Sequence, residues 1–166
     1  MHSAKRVRTV IVALVLLAAL TVPVFAAGPI FIPMISKGFQ HQFWQTVMKG
    51  AKDAADKYHV VMTFEGPPTE ADIQPQVQML VNAMAKNPSA ICLAALDTNS
   101  VMDQLNEAIR RKIPIIGFDS GVPNAPKGAI YATAATNSYA AAGLAAQKMF
   151  PVIKDKIMAA TPSNPI

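Results

Sequence analysis

The sequence has little of several features that would point to particular classes of protein. Cys92 is the only cysteine among 166 residues, so the chain cannot form an internal disulfide. The three histidines are scattered along the chain, and no spacing typical of metal ligands links them to Cys92. Residues 1–27 hold three of the 15 basic side chains and none of the 10 acidic ones, which leaves the remainder near +2. This charge balance gives no basis for a nucleic-acid partner.

The motifs of common enzyme classes are also missing. There is no G-x-G-x-x-G after the first apolar run, no phosphate loop that ends in Gly-Lys-Ser or Gly-Lys-Thr, and no G-x-S-x-G elbow. Lys37-Gly38 follows the first apolar run, but a single glycine there is a weak signal. The sequence predicts a protein without catalysis, cofactor or bound metal.

The N-terminus has the pattern of a secretory signal peptide. Three basic residues precede an uncharged run at 10–20, and the small residues of Val24-Phe25-Ala26 come just before Ala27-Gly28. We predict that residues 1–27 are cleaved and that the mature chain lies outside the cytoplasm.

A membrane anchor is the alternative interpretation of the same segment. No charged residue stands between Arg8 and Lys37, and a span needs only about 20 apolar residues. Pro23, Pro29 and Pro33 argue against one continuous helix, because each proline removes a backbone donor and clashes with the preceding turn. The mature chain is therefore expected to have no stable membrane span.

Beyond residue 28, short apolar runs alternate with segments of helical period. This alternation is typical of an α/β fold with a doubly wound parallel sheet. The predicted strands are 30–32, 60–64, 90–93, 113–118 and 129–133, and the predicted helices are 43–58, 73–84, 101–109 and 139–150, with a tail after Pro151. Cys92 falls in the third strand, where it is expected to act as a small buried apolar side chain.

The connections of such a sheet predict where a ligand binds. Right-handed crossovers place the carboxyl ends of all the strands along one edge, and ligands bind outside that edge where the strand order reverses. The segments expected there are 34–44, 65–69, 94–100 and 118–121.

The first of these segments combines polar and aromatic side chains. Ser36 and His41 precede Phe43 and Trp44 at the start of the first helix. Sugars need this mixture, because their C–H faces stack on rings while their hydroxyls need fixed polar partners. The alternative is that the rings belong to the core, although neighbouring helical residues point about 100° apart and cannot both face it.

Two carboxylates follow later strands. Asp97 stands in Leu96-Asp97-Thr98-Asn99 and Asp119 in Phe118-Asp119-Ser120-Gly121. Either could accept hydrogen bonds from ligand hydroxyls. Helix capping near Asp97 and ordinary turn chemistry at Asp119 are the alternatives; if Thr98 or Asn99 capped the helix, the Asp97 carboxylate would remain free.

These motifs together resemble the type 1 periplasmic binding proteins of the ribose and galactose class. The resemblance spans nearly the whole mature chain. The segments that carry it are Ser36, Phe43-Trp44-Gln45, Met48-Lys49-Gly50-Ala51, Leu96-Asp97-Thr98-Asn99, Ile113 to Ser120, Thr136-Asn137 and Gly143.

The resemblance implies two α/β lobes that close on a ligand. It makes Phe43 and Trp44 stacking residues and His41 and Asp97 polar contacts, and it places Asp119 at the first crossing between the lobes. The implied divisions are a signal peptide at 1–27, an N-terminal lobe at 28–119, and the start of a second lobe with a tail at 120–166. A second lobe of that length would be incomplete, as in a truncated chain. His41 stands where the family often has asparagine, and Thr98 where ribose binders commonly have arginine.

The implied function is periplasmic binding of a sugar or similar polar small molecule, with an ABC transporter permease as partner. A ligand-sensing domain of a signalling or chemotaxis receptor would use the same lobes. A sugar-responsive repressor shares the fold but needs an N-terminal helix-turn-helix, and the predicted signal peptide occupies that place. A secreted enzyme would need a nucleophile and a base, and the sequence shows no such set.

Overall fold

A computed structural model describes residues 28–163 as a parallel sheet flanked by helices. The strands are β1 (Phe31–Ile35), β2 (Val61–Glu65), β3 (Ile91–Leu93), β4 (Ile115–Phe118) and β5 (Ile130–Ala134). The helices are α1 (Gln42–Tyr58), α2 (Ile73–Ala85), α3 (Met102–Arg111) and α4 (Ser138–Ala159). The predicted signal peptide lies outside the described residues.

The strand order is β2-β1-β3-β4-β5, and every neighbouring pair is parallel. This arrangement confirms the predicted doubly wound sheet. The chain runs outward from β1 to β2 and then returns to β3 on the other side of β1, so the order reverses between β1 and β3. The carboxyl ends of these two strands are therefore the predicted place for a ligand.

The main core lies between the sheet and the helices α2 and α3. Alternate strand residues face these helices because side chains along a strand point to opposite faces of the sheet. Ile35, Ile91 and Ile115 are fully buried on this side, against Leu80 of α2 and Leu105 of α3. Most of the apolar side chains that gave α2 and α3 their predicted helical period lie in this core, but Val81 and Ile109 are each 40% exposed.

The other face of the sheet is covered by α1, and only in part. A groove of about 490 Å³ runs between them. It is lined by the apolar residues Ile32, Met34, Val47, Ala51, Ala54, Ala55, Tyr58, Val60, Met62, Cys92 and Phe118. Cys92 is half-buried, and burial raises the pKa of its thiol, so it remains a neutral apolar side chain at physiological pH.

Arg111 ties α3 to α2. Its Nη2 donates to the carbonyl of Met84 at 2.8 Å and to Asn87 Oδ1 at 2.6 Å. A carbonyl in the last turn of a helix has no partner within that helix. The cation therefore stabilises the end of α2 as well as the end of its own helix.

The side chain of Gln76 joins the carboxyl ends of β1 and β3. Gln76 lies on α2 and is 1% exposed. Its Nε2 donates to the carbonyl of Ser36 at 2.9 Å and to that of Ala94 at 2.8 Å, while its Oε1 accepts from Leu96 N at 2.8 Å. One buried amide thus satisfies three backbone groups just beyond the ends of the two strands.

Two sequence predictions about the C-terminal part were wrong. The strand expected to open a second lobe pairs with β4 from Ile115 to Phe118 and completes the same sheet, so residues up to Ala134 belong to the first lobe and not to a unit that begins at 120. Asp119 accordingly lies between two strands of one sheet and not at a crossing between lobes.

The helix expected to end at Phe150 continues through Pro151 to Ala159. A proline inside a helix removes one backbone hydrogen bond, and here the helix resumes beyond it. None of the side chains of α4 is buried. Within residues 28–163, no helix is both long and apolar enough to cross a bilayer.

We expect Gln76→Leu to lower the free energy of unfolding by about 2 to 4 kcal/mol, because it leaves two carbonyls and one N–H buried without partners. Gln78→Leu is the matched control, since Gln78 is exposed on the same helix, and it should change stability by less than about 0.5 kcal/mol. Urea unfolding followed by circular dichroism measures both. Equal stabilities for the two variants would contradict the role assigned to Gln76.

Candidate functional site

A cavity of about 430 Å³ opens at the carboxyl edge of the sheet. His41, Phe43, Trp44, Glu70 and Asp119 line it. They come from the loop and helix after β1, the loop after β2 and the turn after β4. The structure therefore brings together four of the six residues predicted from the sequence, and it adds Glu70.

His41 is the N-cap of α1. Its Nδ1 accepts a hydrogen bond of 3.2 Å from the backbone N–H of Phe43, which satisfies one of the free donors at the helix start. With Nδ1 as an acceptor, the neutral imidazole carries its proton on Nε2. The exposed side of the ring thus offers a hydrogen-bond donor at the cavity.

The two neighbouring aromatic residues have different surroundings. Phe43 is 47% exposed, whereas Trp44 is 2% exposed. The Phe43 ring meets the Trp44 ring edge-on with centroids 4.8 Å apart, and Trp44 in turn meets Phe118 edge-on at 6.2 Å. Phe43 is therefore the ring with a free face, and Trp44 is a largely buried support behind it; that both rings stack on a ligand stays a prediction.

Glu70 was not predicted as a site residue. Its Oε1 accepts a hydrogen bond of 2.8 Å from Trp44 Nε1, which satisfies the only polar atom of that buried ring. The sequence signal was its position: Glu70 comes one residue beyond segment 65–69, which was expected at the ligand edge. Its carboxylate is exposed at the cavity.

Asp119 is held by Lys37, which follows β1. Lys37 Nζ lies 2.9 Å from Asp119 Oδ2, and the two side chains are 20% and 29% exposed. Asp119 has a φ of 63°, in the left-handed region that aspartate tolerates better than most residues, and its N–H donates to the carbonyl of Ala134. The ion pair and the turn together aim this carboxylate at the cavity.

A second cavity of about 630 Å³ shares Phe43 and Asp119 with the first. Its other lining residues are Val47, Phe118, Ala134, Ala135, Thr136 and Ser138, which include the junction between β5 and α4. Phe43 and Asp119 thus stand between two spaces at the same edge of the sheet.

Ser36 lies beneath the cavity and does not line it. Its side chain is fully buried, and its hydroxyl contacts the carbonyls of Gly38 and Glu65. Gly66 packs so closely on it that an added Cβ would overlap both Ser36 Oγ and the Gly38 carbonyl. Ser36 therefore joins the loops after β1 and β2, and the prediction that it contacts ligand stays untested.

Asp97 caps the turn that precedes α3. Its Oδ1 accepts from Asn99 N at 3.1 Å and from both Ser100 N and Ser100 Oγ at 2.7 Å. The hydrogen bonds from Ser100, with a smaller one from Asn99, lower the pKa of this carboxyl below its usual range. The alternative, in which Thr98 or Asn99 caps the helix and leaves the Asp97 carboxylate free, is wrong for Oδ1, which accepts all three hydrogen bonds. Asp97 does not line the 430 Å³ cavity.

Among residues 28–163, no cluster of histidine, cysteine, aspartate and glutamate side chains is arranged to hold a metal ion. The site consists of one open aromatic face, two carboxylates, one imidazole donor and one ammonium group behind Asp119. Such a set can offer a ligand a stacking face and hydrogen-bond partners.

Comparison with known proteins agrees with this geometry. Residues 32–162 match the model of the periplasmic binding protein domain. The chain belongs to this family, which is one of binding proteins and not of enzymes.

Several solved structures are similar to the chain. A Brachyspira murdochii protein described as "ABC transporter, LacI family transcriptional regulator" is 42% identical with a TM-score of 0.71, and the match covers 82% of this chain and 43% of that one. An ABC transporter solute-binding protein from Agrobacterium vitis with bound D-fucose is 34% identical, with a TM-score of 0.68 and coverage of 74% and 43%.

A carbohydrate transporter solute-binding protein from Agrobacterium radiobacter, in complex with D-arabinose, is 29% identical with a TM-score of 0.68. That match covers 78% of this chain and 43% of the solved one. The chain thus spans less than half the length of these relatives.

The different surroundings of the two rings lead to a stability prediction. Trp44→Ala should lower the free energy of unfolding by about 3 to 5 kcal/mol, because it removes a large buried ring and leaves a cavity. Trp44→Phe, which keeps most of the packing and loses the bond to Glu70, should cost roughly 1 to 2 kcal/mol. Phe43→Ala should cost less than about 1 kcal/mol, since half of that ring is already exposed. Urea unfolding measures all three, and a larger loss for Phe43→Ala than for Trp44→Phe would contradict this assignment.

Proposed function

We propose that this chain is a periplasmic solute-binding protein that takes a sugar or similar polar small molecule for an ABC transporter. The observation that carries the proposal is the cavity at the carboxyl edge of the sheet, where the half-exposed ring of Phe43 stands among the polar groups of His41, Glu70 and Asp119. Two similar solute-binding proteins hold D-arabinose and D-fucose, which supports the same ligand class.

The polar groups around Phe43 suit a ligand with several hydroxyls. A hydroxyl both donates and accepts, and the site offers both partners: carboxylate oxygens of Glu70 and Asp119 as acceptors and His41 Nε2 as a donor. The apolar C–H face of a sugar ring can lie on Phe43 while its hydroxyls reach these groups. Asp97 is a further proposed contact through the carboxylate oxygen that does not cap the turn.

The proposed mechanism includes closure of two lobes around the ligand. The 430 Å³ cavity is open at the sheet edge, and the second cavity beside it is partly lined by the start of α4. A ligand that stacks on Phe43 has a second face, which a second lobe could cover in a closed state. The ligand would stabilise that closed state because it binds the closed state more tightly than the open one. The permease of the transporter is the proposed partner of the closed form.

We propose that residues 1–27 direct export and are removed. The periplasmic form should then begin near Ala27 or Gly28. Expression in a bacterium, followed by N-terminal sequencing of the periplasmic fraction, tests this. Recovery of the chain in the membrane fraction with Met1 intact would support the anchor interpretation instead.

Sugar binding is tested on the mature chain by ligand-observed NMR, which detects weak binding. D-fucose, D-galactose and D-arabinose should give saturation-transfer signals, and Phe43→Ala should weaken the affinity by about tenfold because the stacking face is lost. Tyr58→Ala is the control, since it removes an aromatic ring that is 67% exposed at the far end of α1. The site assignment fails if sugars bind and both variants keep the wild-type affinity, and the proposed function fails if a panel of pentoses, hexoses and polyols gives no signal.

A further inference from the structure

Glu70 brings a charge to the cavity that no neighbouring cation offsets. Asp119 is paired with Lys37 at 2.9 Å, whereas none of the ion pairs found in residues 28–163 includes Glu70. Its hydrogen-bond partner is the neutral indole N–H of Trp44. His41 adds no opposing charge in the neutral form that accepts from Phe43 N.

Two carboxylates therefore line the cavity, and the one ammonium group paired with them is that of Lys37 behind Asp119. Carboxylates are ionised at neutral pH, so the local charge is negative. A negative charge near a binding cavity attracts cationic groups and repels anionic ones, and exposure to water and salt weakens this effect without removing it.

The geometry of Glu70 leaves one oxygen for a ligand. Oε1 is used by Trp44, and the same bond positions the carboxylate against the buried ring. Gly38 packs against the same edge of that indole, where an added Cβ would lie 3.2 Å from Trp44 Nε1 and 3.6 Å from Glu70 Cγ, so both side chains have little room to move there. The second oxygen is held at the cavity by this arrangement.

We infer, resting on the proposed function, that Glu70 binds ligand and determines its charge, so that the site takes neutral and amino-substituted sugars and rejects sugar acids. The carboxylate accepts hydrogen bonds from hydroxyl or ammonium groups of the ligand. It cannot donate one to a ligand carboxylate, and its charge opposes that group.

A series of sugars that differ at one carbon tests the inference. D-fucose, D-galactose, 6-amino-6-deoxy-D-galactose and D-galacturonate carry a methyl, a hydroxymethyl, an aminomethyl and a carboxylate group on the same ring. On the mature chain, the amino sugar should bind at least as well as D-galactose, and D-galacturonate should bind at least about tenfold more weakly.

Glu70→Gln separates the charge of this residue from its support of Trp44. The amide keeps an oxygen that accepts from Trp44 Nε1, so the fold is retained, and the ratio of amino-sugar to acid affinity should fall about tenfold. Glu107→Gln is the matched control, because it removes the same charge from α3, where Glu107 pairs with Arg110. It should leave the ratio unchanged.

The same measurement in 1 M NaCl should reduce the difference in affinity between the amino sugar and D-galacturonate, since salt screens charges that are open to solvent. The inference is overturned if D-galacturonate binds as well as D-galactose, or if Glu70→Gln leaves the ratio unchanged. Absence of binding by every member of the series, D-fucose and D-galactose included, would instead count against the proposed function.

Discussion

The buried amide of Gln76 is the contact on which the ligand-facing edge of the sheet depends. β1 and β3 pair through only two residue pairs, and beyond Ile35 and Leu93 their backbones separate toward different loops. Polar backbone groups exposed at such a divergence need partners, because leaving them unpaired in the interior costs about 1 to 3 kcal/mol each. Gln76 supplies three bonds from a helix that is itself anchored in the main core. The loop that leads to His41 and the turn that Asp97 caps therefore start from fixed points.

At the candidate site on this edge, some residues are exposed at the cavity and their neighbours hold them in place. Trp44 is buried between Phe43 and Phe118 and tied to Glu70, so it contributes rigidity, whereas Phe43 keeps an open face. Asp119 is held by Lys37 and by a left-handed turn. Phe43, Glu70 and Asp119 are thus each held by a neighbouring side chain, which would limit the conformational entropy lost on binding.

Much of the fold could be predicted because its signals are local. The alternation of apolar runs and helical periods placed five strands and four helices to within a few residues, except for the end of α4, and the right-handed crossover rule indicated the edge where the candidate site lies. Four residues that line the cavity could be predicted because they lie at the start of α1 or directly follow β4. Glu70 was missed because nothing in Pro68-Thr69-Glu70 distinguishes a ligand contact from an ordinary exposed turn. Gln76 was missed because a polar residue on an amphipathic helix is normally expected at the solvent face.

The sequence by itself determined the class of fold, the edge of the sheet at which the candidate site lies and the mixture of ring and polar groups there, since these depend on residue order and on the handedness of the chain. Only the tertiary structure decided which ring is open, which carboxylate is paired and where the first lobe ends. Phe43 and Trp44 are adjacent in sequence, and their exposure differs because Phe118 and Glu70, 74 and 26 residues from Trp44, pack on one ring and not the other. The strand Ile130–Ala134 joins the first lobe because it finds hydrogen-bond partners on β4, and no local pattern specifies a partner strand. Such contacts are chosen by packing and pairing between distant segments, which sequence periodicity does not encode.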